Sequence, residues 1–198
     1  MTTTTMRRST LAAGPICMTA YGLIRLTDGK HGPGLAWSAG HLALLAGVLF
    51  FIPVFRGLSR MAADGRGRVA RRLADAGFAA GLIGVVAVSV QAGIDLVVGF
   101  LSEDRAAMQV LFERVQSRPM MGPVVYSVGP MLLYVGLLLL MVQLAVLRRA
   151  GAWRPVAVVA GIAVSMVSLD LLPLGGLLFL LALVTLGSPA PGVSARAS

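Results

Sequence analysis

One cysteine, two histidines and few charges leave this chain little from which to build a conventional site. Cys17 has no partner for an internal disulfide, and inside an apolar run it reads as a small buried filler. With so few soft ligands neither a closed metal centre nor a cofactor is expected. The sequence contains no HExxH, no CxxC, no glycine-rich phosphate loop and no G-x-S-x-G, which removes the best-marked hydrolase, redox and nucleotide chemistries. No strand-like alternation argues for a β-barrel, and no internal repeat argues for an inverted-repeat transporter. Charged residues are 13% of the chain, against about 25% in a soluble domain.

What fills the space is hydrophobic. Such residues make up 57% of the sequence, and the mean hydropathy is +0.86. The clearest run is 73–101, more than long enough for a helix to cross a hydrocarbon core of about 30 Å. Similar runs cover 11–26, 35–55, 119–147 and 155–187. The last would be roughly 48 Å long as one helix, and Pro173 with Gly175 and Gly176 inside it predicts a kink near Leu172. The fold class expected is therefore all-α: one polytopic integral membrane bundle over 1–187 with five transmembrane helices. Residues 188–198, rich in small residues and proline, are expected to form a disordered tail.

Between the runs the polar residues are patterned. Arg7 and Arg8 precede the first run without a clear cleavage site after it, so that run is expected to remain as an uncleaved span. Residues 102–118 read as a short interfacial helix, capped by Ser102, with Met108, Leu111 and Val115 on one face. Gly77 and Gly81 form a small-xxx-small pair suited to close helix packing. Arginines crowd the segments around 56–72 and 148–154, whereas Asp28, Glu103, Asp104 and Glu113 offset the basic residues of the alternate loops. The net charge of +9 thus reflects orientation in a cell membrane rather than nucleic-acid binding, and places the N-terminus in the cytoplasm and, with five crossings, the C-terminus outside.

That orientation brings several polar side chains to one depth, in the outer leaflet. Tyr21 and Arg25, Trp37 and His41, and Gln91 and Asp95 are each spaced i, i+4 and share a helical face; Tyr126, Ser127 and Asp170 complete the set. A charge at mid-bilayer costs at least about 2.5–3.5 kcal/mol, so Asp95 and Asp170 should face the interior, either neutral or paired. Asp75, beside Arg71 and Arg72, reads as a structural interface residue.

Three functions compete for this pocket. The leading one is an accessory, partner-binding or regulatory bundle, in which the polar groups serve mainly as interhelical hydrogen bonds. The alternative is an intramembrane enzyme on a lipid or isoprenoid substrate. There Asp95 or Asp170 would be the general acid and His41 the base or relay, with Tyr21, Arg25, Trp37, Gln91, Tyr126 and Ser127 lining the pocket. Twelve aromatics in the whole chain are few for such a cyclase-like site. A proton-linked carrier is third, disfavoured by size. The expected partners are membrane lipids, with a membrane protein, a second copy of the chain or an apolar small molecule as further candidates, and no nucleic acid.

Overall fold

The computed structural model describes residues 7–29, 31–64 and 67–187. Every regular element among them is helical. Helix α1 is Arg8–Thr27, α2 Leu35–Ala63, α3 Arg68–Leu101, α4 Arg105–Gln116, α5 Gly129–Val146, α6 Trp153–Val167 and α7 Leu172–Val184. A π-helical turn, Met121–Val128, runs directly into α5, and a 3₁₀ turn, Leu169–Leu171, joins α6 to α7. Three helices are long and apolar enough to cross a membrane: Leu35–Ala63, Arg68–Leu101 and Met121–Val146. Their outward faces carry exposed Leu42, Leu49, Phe50, Ile83, Val86, Val90, Val97, Val135 and Val142. An apolar belt of this kind suits lipid and not water, and the three helices point to a membrane protein. The tail expected to be disordered lies outside the described residues.

Apart from α4 the helices form a closed ring. Helix α1 packs on α2, α2 on α3, α3 on α5, α5 on α6, α6 on α7 and α7 back on α1, while α2 touches α5 across the middle. Glycines let the backbones meet. On α3, Gly77 and Gly84 lie against Leu140 and Leu133 of α5, and Gly81 lies against Gly136 of α5 and Phe55 of α2. Gly22 and Gly176 seat α1 on α7 against Pro173 and Thr19. Lipid is as apolar as leucine, so close packing and not expulsion from water holds these pairs.

The run 155–187 departs from the single kinked helix that its proline suggests. It is a hairpin: Gly161 meets Phe179 and Ser165 meets Gly175, so α6 and α7 are antiparallel. The reason is local. Ser168 is extended (φ −157°, ψ 140°), and its hydroxyl accepts from the Asp170 amide at 3.1 Å, which ends α6. Pro173 then stands in the first turn of α7, where its missing N–H costs nothing, and so starts a helix where a kink was expected. Consequently α7 returns to the end of the bundle where α1 begins. The described chain starts and finishes at the same end, against the opposite ends that five crossings imply.

That end is closed by arginines whose role topology alone does not reveal. Arg149 donates to the carbonyls of Met61 and Asp64 at the end of α2. Arg154 reaches the carbonyls of Ala182 (3.4 Å) and Thr185 (2.7 Å) at the end of α7. Both guanidinium groups satisfy carbonyls that a helix C-terminus leaves without a partner. Toward this end the core is filled by Phe51, Phe55, Leu58, Leu137, Leu140, Met141, Leu144, Phe179 and Leu183, all fully buried.

At the opposite end, α4 begins with Asp104 as its cap, the carboxylate accepting from the Ala107 amide at 2.8 Å. Ser102, expected in that role, instead donates back to the Val98 carbonyl at 2.7 Å and finishes α3. Met108 is the buried residue of α4.

Candidate functional site

The polar cluster stands at the end opposite the capping arginines. Its centre is Asp95 on α3, which is 7% exposed, beside His41 on α2, which is 4% exposed. The α2 face that carries Trp37 and His41 lies along the α3 face that carries Asp95 and Gly99. Gly99 is needed there, because a Cβ at that position would collide with the Trp37 indole. With the ring this close, Trp37 Nε1 donates to the Asp95 backbone carbonyl at 2.8 Å.

The carboxylate has two further neighbours. The Tyr126 hydroxyl donates to Asp95 Oδ1 at 3.2 Å, and His41 Nε2 stands 3.5 Å from Asp95 Oδ2. His41 Nδ1 in turn lies 2.8 Å from the Trp37 carbonyl, one turn back in its own helix. Rings enclose the imidazole on two sides. Trp37 lies over it with centroids 4.2 Å apart, and Tyr21 of α1 meets it edge-on at 5.4 Å. Phe112 of α4 is a further neighbour of Trp37, with ring centroids 6.1 Å apart.

Tyr126 reaches Asp95 from the π-helical turn. Pro130 has no N–H to close the α-type bond to the Tyr126 carbonyl, and Gly129 donates five residues back to Val124. The wider turn aims Tyr126 inward. Ser127, expected beside it, is exposed and bonds only to the Gly122 carbonyl of its own turn. Gln91 is half-buried, and none of the cluster's hydrogen bonds reaches it.

Asp170 is also separate. It sits at the tip of the α6–α7 hairpin, 52% exposed, and pairs with Arg25 at 3.1 Å. Of the two expectations for this residue, neutral or paired, the structure shows the pair, at a half-exposed position and not in the bundle interior. Arg25 stands one turn beyond Tyr21 on α1, so the ion pair adjoins the cluster without entering it.

A small cavity opens between these groups and the α1–α2 connection, lined by Tyr21, Arg25, Asp28, His31, Ala36, Trp37, Gly40 and His41. Its volume of about 20 Å³ is room for roughly one water molecule. No group of three or more histidine, cysteine, aspartate or glutamate side chains among the described residues is arranged to hold a metal ion. The arrangement can hold or hand on a proton along Tyr126, Asp95 and His41. Compared with known proteins, the chain matches no family model, no curated protein and no solved structure.

Phe112, Gly99 and the π-helical turn have no counterpart in the sequence reading. Gly99 had a signal, since it falls one turn after Asp95 on the same face. Pro123 and Pro130, seven residues apart in an otherwise helical run, were the mark of irregular backbone.

Proposed function

We propose that the chain is an accessory or regulatory membrane protein that works by association with another membrane protein. The observation that supports this reading is the filled core: Phe51, Phe55, Leu137, Leu140, Met141 and Phe179 are fully buried across the half of the ring below the polar cluster. A carrier needs an alternating path through that volume, and an isoprenoid cyclase needs a substrate chamber, where these packed side chains stand. The Asp95 cluster then fixes the register of α2, α3 and the π-helical turn near the outer surface. Photocrosslinkers placed at exposed Val86 and Val97 of α3 should give a discrete protein adduct in native membranes. Lipid adducts alone, from every outward position, would overturn the proposal.

In this reading the arginine-capped end is cytoplasmic, in keeping with the positive-inside rule. The six ring helices alternate in direction, so the α6–α7 hairpin enters from the cytoplasm and returns to it. Tags placed before α1 and after α7 should both be inaccessible to a membrane-impermeant reagent in intact cells. Labelling of the second tag alone would restore the five-crossing topology.

A further inference from the structure

The hydrogen bonds around His41 determine where its protons are. The Trp37 carbonyl can only accept, so Nδ1, 2.8 Å away, carries a hydrogen. In a neutral imidazole the other nitrogen, Nε2, is then a bare lone pair. That lone pair faces Asp95 Oδ2 at 3.5 Å, inside a site where both side chains are less than a tenth exposed. Two acceptors pointed at each other with no donor between them repel, and burial strengthens the repulsion. Asp95 Oδ1 does not resolve the conflict, because it already accepts from Tyr126. One proton on the Nε2–Oδ2 axis does.

We propose that His41 and Asp95 form a single-proton binding site, loaded from the non-arginine end of the bundle. The route is the one-water cavity, which has His41 in its wall and Asp28 and His31 of the α1–α2 connection beside it. Loading is a proton transfer from a hydronium or buffer acid to Nε2 or Oδ2, with no other bond made or broken. The opposite route is blocked by the buried Phe51 and Phe55 layer. Among the described residues, these charged and titratable groups stand around the pair. Helix α1 presents Tyr21 and Arg25, the α1–α2 connection Asp28 and His31, and the π-helical turn Tyr126. The hairpin presents Asp170, already paired with Arg25, while α4 presents the ring of Phe112. Arg25 is thereby partly neutralised, and Asp95→Asn separates the pair's proton from one taken up by His31 in the cavity wall. The inference concerns what the cluster binds, and stands or falls apart from the partner proposed above.

The test uses Trp37, whose ring lies 4.2 Å from that of His41. The full chain in a Trp153→Phe background, reconstituted with one orientation into phosphatidylcholine–phosphatidylglycerol vesicles, leaves Trp37 as the sole indole. Bringing the outer-side pH from about 9 to about 5 should quench its emission about twofold along a one-proton curve. The same change on the arginine side should leave it unaltered. Asp95→Asn should lose the response and stay folded, because the carboxamide offers an oxygen to Tyr126 and an N–H to Nε2 in place of the proton. A wild-type signal that ignores pH, an equal response from both sides, or an undiminished response in Asp95→Asn would each overturn the proposal.

Discussion

Gly136→Val is expected to destroy the folded bundle or to destabilise it by about 3 kcal/mol or more. A side chain at this position would run into the Gly81 backbone of α3, with the Gly77 carbonyl 2.7 Å from the new Cβ. These obstacles are main chain, which cannot swing aside as a long side chain does. The whole α3–α5 contact would have to open, and the leucines that flank it, Leu133, Leu137 and Leu140, would lose their neighbours. Thermal unfolding in detergent measures the effect, expected as a fall of roughly 6–12 °C for a chain of this size, and gel filtration reports any loss of the compact form. Gly93→Ala supplies the contrast. It lies in α3, the helix that Gly136 packs against, with nothing within 4 Å of the added carbon, and it should be neutral or stabilising by up to about 1 kcal/mol.

The second large effect is His41→Ala. Removing one member of a buried polar pair strands the other, and such losses run at about 3–5 kcal/mol. Here Asp95 Oδ2 would keep its burial and lose its neighbour, while Trp37 and Tyr21 would line a hole where the imidazole stood. Asp95→Asn keeps the side chain's shape and can preserve every hydrogen bond, so its cost should be within about 1 kcal/mol of zero. Unfolding of the two variants side by side separates the roles. Equal losses would mean that the cluster is held by shape alone.

Much of this arrangement was legible because helical periodicity and cost agree. Asp95 and His41 each fall at the polar end of an apolar run, and a buried carboxylate has few affordable surroundings other than a partner. Their meeting required only that α2 and α3 be antiparallel neighbours, which a short connection ensures. Asp170 misled for the same reason. Its apolar flanks imply burial, but the flanks belong to two helices, and a residue at the tip of a hairpin is open to its surroundings. Hydropathy is blind to that difference, since one long crossing and two short antiparallel helices have the same composition. The decisive signs were Ser168, which terminates a helix, and Pro173, which suits a helix start better than its middle. Ser127 and Gln91 show the remaining limit: spacing gives a helical face only while the helix is α, and only a neighbour's position decides which face is used.

The closure of the ring by α1 and α7 bears on how the chain can be assembled. Arg25 and Asp170 are 145 positions apart, so the earliest of these helices to leave the ribosome waits for the latest before its contacts are complete. In the interval the side of α1 that carries Thr19 and Gly22, which meets Gly176 and Pro173 in the finished bundle, stands uncovered. A nascent chain halted before α7 therefore holds an unfinished seam, open to chaperones and to degradation, until translation supplies its last partner.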